Sequence, residues 1–100
     1  MNLNGVFKIN QSNFAHNPMT WTMDQPDASH VEGTAIADMS GSIKGFINGN
    51  HVTVTVHWAN GQIGVYSWDV DANGMMTNGS CFDAQATGST ATLNSGEIFA

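Results

Sequence analysis

Apolar and polar residues alternate along much of this chain, most clearly between His51 and Trp58. The pattern separates the apolar side chains Val52, Val54, Val56 and Trp58 from the polar side chains His51, Thr53, Thr55 and His57. Alternation with a period of two is typical of a strand, because successive side chains of a strand point to opposite faces. A slip of one residue would exchange the two faces, so we expect the whole valine face to point inward and the whole histidine and threonine face outward.

Asn-Gly dipeptides separate several of these alternating runs, at Asn48-Gly49, Asn60-Gly61 and Asn73-Gly74. Asn and Gly reach positive φ at low cost, as the tight turns of antiparallel hairpins require. Connections this short cannot join parallel strands. Period and turn position together predict eight strands, at Gly5–Asn10, Met19–Asp24, Val31–Met39, Ser42–Asn48, His51–Ala59, Gln62–Val70, Met75–Asp83 and Thr90–Phe99.

An open meander of eight strands would leave one apolar face and two edges in water, and closing it into a barrel removes both. We therefore predict an all-β fold, an eight-stranded antiparallel up-and-down barrel that occupies residues 1–100 as a single domain. A β-sandwich of two packed sheets is the alternative. We expect Gln11–Pro18, Gln25–His30 and Ala84–Ser89 to form loops at the barrel ends, where binding residues are most often found.

The stretch from Gly64 to Thr77, GVYSWDVDANGMMT, resembles a repeated unit of the small calycin-type meander barrels, especially the avidin-like ones. In that unit an aromatic strand runs into an Asp/Asn-Gly turn and then into a Leu-Thr-Gly strand. The resemblance implies a barrel that holds an apolar or amphipathic small molecule inside. The biotin-contacting residues of the first avidin strand have no counterpart at Gly5–Asn10, so the resemblance implies neither biotin binding nor a role for any residue.

The chain is acidic and carries little charge: eight Asp and Glu residues stand against Lys8 and Lys44, with no arginine and a net charge of −6. Without a basic stripe, nucleic acid and anionic membrane surfaces are not expected partners. A small-molecule ligand and a homo-oligomer remain open. The first residues have neither the basic nor the apolar part of a signal peptide, so we expect a cytoplasmic protein, or a secreted one whose signal has been removed.

The segment Asp69 to Gly74 reproduces the first half of a calcium-binding loop. The position of the bidentate carboxylate falls on Ser80, so we interpret Asp71 to Gly74 as a type I turn with a glycine bulge. His51 and His57 share a strand face but lie about 20 Å apart at the usual rise, too far to bind one metal ion. We predict no metal site and no other cofactor.

The aromatic residues indicate a cavity, because a narrow barrel offers few partners for buried indole N–H and phenol O–H groups. Methionines with flexible side chains suit the walls of such a cavity. The predicted ligand-binding residues are Met19, Trp21, Met23, Trp58 and Tyr66. In the alternative arrangement, Trp21 and Trp58 are ordinary core and Trp68 lies at the surface.

We therefore expect a barrel that accepts a hydrophobic or amphipathic ligand in its interior. A first alternative is a barrel enzyme of the isomerase, cyclase or lyase type that uses an interior acid–base pair. Whether the protein is an enzyme stays open at this stage. A second alternative is a lectin-like or protein-interaction module with exposed tryptophans. The candidate catalytic residues are His57, Tyr66, Asp69 and Asp83.

Overall fold

The computed structural model describes residues 1–99, apart from the side chain of Thr87, and contains a closed barrel of eight antiparallel strands. Each strand pairs with the next along the chain, and the last pairs with the first, so the predicted up-and-down barrel is confirmed and a β-sandwich is not needed. None of the described residues forms a helix long and apolar enough to cross a membrane. The strands are β1 (Gly5–Gln11), β2 (Met19–Asp24), β3 (His30–Ile36), β4 (Ser40–Asn48), β5 (His51–Trp58), β6 (Ile63–Val70), β7 (Met76–Asp83) and β8 (Ala86–Asn94).

The three predicted Asn-Gly turns join consecutive strands, and their glycines adopt positive φ angles of 62° at Gly49, 88° at Gly61 and 80° at Gly74. In the last of them, the Gly74 N–H donates to the Asp71 carbonyl at 3.0 Å and the Asp71 N–H donates to Met75 at 2.9 Å. These bonds fit the predicted type I turn with a glycine bulge.

The inward face of the barrel is the predicted one. Val52, Val54 and Val56 are fully buried, whereas His51 and His57 on the other face of β5 are exposed. The apolar face of β2 is buried as well. Phe7, Ile43, Trp68 and Leu93 from other strands complete this core, so Trp68 does not lie at the surface.

Some predicted strand ends are wrong. The strand predicted at Thr90–Phe99 runs from Ala86 to Asn94 instead, because a tight turn at Ala84 and Gln85 follows β7 directly. The chain leaves the sheet after Asn94, where the Ser95 hydroxyl donates to the Lys8 carbonyl at 2.7 Å. The strand predicted to end at Met39 also ends early. Ala37 to Met39 form a turn instead, in which the Ala37 N–H donates to the Met39 carbonyl at 2.9 Å.

The two ends of the barrel differ. At the end that we call the floor, the chain termini fold across the opening. There Leu3 and Phe99 are fully buried, the Asn2 N–H donates to the Phe99 carbonyl at 3.0 Å, and the Phe7 and Phe99 rings stack with centroids 4.8 Å apart. The opposite end, which we call the mouth, is bordered by the β1–β2 loop and by the turns after β3, β5 and β7.

Candidate functional site: a pocket at the mouth of the barrel

A pocket with a volume of about 220 Å³ opens at the mouth. Its wall is mainly apolar, and the polar groups stand at its base and rim. The apolar side chains that matter below are Phe14, Met19, Met39, Trp58 and Ile63, and the polar ones are Asp38, Tyr66 and Asp83. The arrangement of an apolar wall with a few placed polar groups is typical of a small-molecule site.

Two inward-facing glycines give this pocket its shape. A Cβ atom on Gly64 would lie 2.7 Å from the Tyr66 hydroxyl oxygen, so the phenol ring occupies the space above Gly64 and reaches toward the mouth. A Cβ atom on Gly41 would lie 2.9 Å from the Trp58 indole in the same way. Both aromatic rings therefore depend on the absence of a side chain beside them.

Tyr66 places a hydrogen-bond donor at the base of the pocket. Burial raises the pKa of its phenol to about 12, and the nearby Asp83 carboxyl acts in the same direction, while hydrogen bonding from the Trp58 side chain partly opposes the shift. The sheet register explains the position of Asp83, which lies directly opposite Gly64 on the neighbouring strand. At neutral pH, Tyr66 is consequently a protonated phenol that can donate.

Cys81 lies opposite Tyr66 in the β6–β7 register and also lines the pocket. Burial raises the pKa of its thiol to about 11, and a hydrogen bond from the Ala91 backbone only partly offsets that effect. The thiolate is the nucleophilic form of cysteine. Cys81 is therefore a neutral, weakly polar part of the pocket wall at physiological pH.

The β1–β2 loop reaches over one side of the mouth, and Asn17 fixes its shape. The Asn17 amide accepts from the Gln11 N–H at 2.9 Å and donates to the carbonyls of Gln11 and Phe14 at 2.8 and 2.7 Å. The loop thereby places Phe14 in the pocket wall. Its His16 imidazole lies 3.2 Å from the Asp38 carboxylate on the next rim turn, an exposed pair that connects the two segments.

Of the five predicted ligand-binding residues, three line the pocket and two lie elsewhere in the interior. Met19, Trp58 and Tyr66 are in the wall. Trp21 packs edge-on beneath Tyr66 with ring centroids 5.1 Å apart, and Met23 is buried in the core. Trp21 also packs against Trp68, with ring centroids 5.9 Å apart. Because both indoles are fully buried, they fill the interior below the pocket.

The four candidate catalytic residues do not come together. Tyr66 and Asp83 both line the pocket, whereas His57 and Asp69 lie on the outer face of the sheet. Asp69 instead accepts from His51 at 2.7 Å and from the Asn78 amide at 3.1 Å, and both contacts lower the pKa of its carboxyl. Within residues 1–99, no three metal-binding side chains are clustered, the described side chains alone being considered.

Sequence reasoning missed several lining residues. Phe14 is an isolated aromatic residue in a polar loop. The sequence shows this feature, but the feature alone does not identify a pocket residue. The small residues Gly64 and Ala91 and the buried Cys81 are recognisable only from strand register, because their importance depends on which residue stands opposite. Asp38 and Met39 belong to a turn that the predicted third strand had included.

The fold and the site define the chain as a closed up-and-down barrel whose floor is filled and whose mouth holds a pocket. No protein-family model, curated protein or solved structure matches the chain. The resemblance to avidin-like barrels accordingly stays a prediction from the sequence pattern.

Proposed function

We propose that this protein binds a small amphipathic molecule in the pocket at the mouth of the barrel. The observation that carries the proposal is the combination of an apolar wall with a single protonated phenol at its base. Apolar wall atoms supply affinity by excluding water, and a donor such as Tyr66 fixes the orientation of the ligand.

The size of the pocket limits the ligand. A volume of about 220 Å³ lies below the roughly 300–1,000 Å³ of sites for drug-sized molecules. The ligand cannot extend further along the barrel axis, because Trp21 and Trp68 fill the interior beneath Tyr66. We therefore expect a molecule with one compact apolar group rather than a long acyl chain.

The two alternatives have less support. Of the four candidate catalytic residues, only Tyr66 and Asp83 line this pocket. A phenol with a raised pKa is almost wholly protonated at neutral pH, so its phenolate form is not available as a base. For an interaction module, Phe46 is an exposed aromatic side chain on the outer face, but Trp21 and Trp68 are fully buried.

The proposal can be tested with 1-aminonaphthalene, a small uncharged dye whose emission shifts to shorter wavelength in apolar surroundings, and with two matched variants. Phe14→Ala shortens an aromatic side chain in the pocket wall, and Phe46→Ala shortens one on the outer face. We expect Phe14→Ala to weaken dye binding about three- to tenfold, because apolar contact area is lost. Phe46→Ala should leave it unchanged. The reverse result would contradict the proposal and favour an interaction module on the outer face.

A further inference from the structure

Among the polar groups that line the pocket, Tyr66 offers a hydroxyl donor at the base, and Asp38 and Asp83 are acidic. We propose that the pocket selects uncharged amphipathic ligands whose inner end carries a hydrogen-bond acceptor, such as a carbonyl oxygen, and that it rejects carboxylates. This inference rests on the proposed function and specifies its ligand class.

The first argument is that the hydroxyl hydrogen of Tyr66 is available for a hydrogen bond. The residue is only 4% exposed, yet its hydroxyl lines the pocket. An indole N–H can only donate. Trp58 can therefore donate a hydrogen bond to the phenol oxygen but cannot accept one from the phenol O–H. Two hydroxyl groups, on Thr77 and Ser95, donate to backbone carbonyls, whereas the Tyr66 hydroxyl has no acceptor among the described groups, which do not include the Thr87 side chain. A ligand acceptor at the base of the pocket would use this donor.

The second argument is the sign of the charges around the pocket. Asp83 points inward beside Gly64, and Asp38 lies on the rim. The only two lysines, Lys8 and Lys44, are exposed on the outer face of the barrel. A carboxylate in the pocket would lose hydration, meet like charges and gain no cation in return.

The third argument comes from the interior beneath the pocket. The indole nitrogens of Trp21 and Trp68 are fully buried and have no hydrogen-bond partner in the described part of the chain. Tyr66 packs edge-on against Trp21. Neither indole lines the pocket, so Tyr66 is the member of this aromatic column whose donor a ligand in the pocket can meet.

Three ligands of equal carbon number test the inference: propylbenzene, propiophenone and the hydrocinnamate anion. The ketone differs from propylbenzene only in carrying a carbonyl group in place of one methylene group. Binding is measured at neutral pH by competition with 1-aminonaphthalene or by tryptophan fluorescence. We expect propiophenone to bind at least about tenfold more tightly than hydrocinnamate. Tyr66→Phe should weaken propiophenone binding about three- to tenfold and leave propylbenzene binding unchanged.

A second measurement does not depend on the folding of a variant. The carbonyl stretching band of bound propiophenone should lie at lower frequency than in an alkane solvent, because hydrogen bonding weakens the C=O bond. Tight hydrocinnamate binding, an unshifted carbonyl band, or a Tyr66→Phe variant that is folded and binds the ketone normally would each overturn the inference while pocket binding stands. Failure of propiophenone to bind also overturns it, and if propylbenzene and 1-aminonaphthalene fail too, the proposed function falls with it.

Discussion

The floor and the mouth of this barrel are built from the same eight strands, yet one end is closed and the other is open. At the floor, the segments outside the sheet bring Leu3 and Phe99 into the barrel, where Phe99 contacts Phe7 and Trp68. At the mouth, the inward positions include Gly41, Gly64 and Asp83, which cannot fill the space. The difference teaches that inward residue size, rather than strand number, decides where such a small barrel keeps a cavity.

The largest expected effect tests whether the floor is the stabilising end. Phe99→Ala removes a fully buried ring that stacks on Phe7, and we expect the free energy of unfolding to fall by about 3–5 kcal/mol. Phe14→Ala at the mouth should cost less than about 1 kcal/mol, since that ring is only partly buried. Urea unfolding of both variants measures the difference. Equal losses would remove the distinction between the two ends.

The next test follows the free energy of unfolding through the alkaline titration of Tyr66, at the base of the pocket. Because the folded-state pKa of Tyr66 is raised from its ordinary value of 10.0 to about 12, its contribution to stability is complete below pH 10 and is lost as the pH rises toward 12. The loss amounts to about 2–3 kcal/mol at most. Cys81 titrates in the same direction. Tyr66 is the only tyrosine, so tyrosinate absorbance reports it directly.

Tyr66→Phe separates the two groups in that experiment. Without the phenol, the fall in stability above pH 10 should shrink to the share of Cys81. An identical alkaline profile in the variant would show that Tyr66 is not buried at the base of the pocket.

A substitution in the middle of the barrel wall, on β5, should change the free energy of unfolding by a smaller amount. Val54→Ala should lower the free energy of unfolding by about 1–3 kcal/mol, because Val54 is fully buried midway along β5. Thr55→Ala on the outer face should be nearly neutral. Thermal and urea unfolding measure both. A larger loss for Thr55→Ala would mean that the strand faces the other way.

The smallest expected effect concerns the β6–β7 turn at the floor. The Asp71 carboxylate already accepts from the backbone N–H groups of Asn73 and Met75 at 2.8 and 3.0 Å, and Asp69 faces His51 on the outer side. Millimolar calcium should therefore leave the melting temperature nearly unchanged. A rise of several degrees would reveal a cation site in this turn.

Alternation and turn chemistry made the barrel predictable. The face of β5 that turns inward followed from Val52, Val54 and Val56, because burial of one valine fixes the others. The Asn-Gly dipeptides between alternating runs marked turns, whereas a further one falls within a strand, as the predicted strand Met75–Asp83 had it. Asn78-Gly79 lies inside β7, where Asn78 has a φ of 52° near an irregularity in the β6–β7 register.

The pocket was less predictable, because it depends on long-range register. Tyr66 and Trp58 were recognised by residue type, but the space around them comes from Gly64 and Gly41. Asp83 lies near the phenol only because the β6–β7 register places it opposite Gly64. Burial of Trp21 in the core had been one of the two predicted arrangements. Closure of the floor by Phe99 was not foreseen, because that residue had been predicted to end a strand.

The seam between β1 and β8 bears on how the barrel moves. Their register extends only over Asn10 with Asn94 and Gln11 with Leu93, whereas β4 and β5 pair from Gly41 with Trp58 to Asn48 with His51. Because this seam joins distant parts of the chain through a short register, we expect it to close late in folding and to open more readily than the other strand pairs. Gln11 and Ala91, which flank it, also line the pocket. Transient separation of β1 from β8 would thus widen the pocket sideways and give a ligand a second route of entry, with hydrogen exchange concentrated along this line.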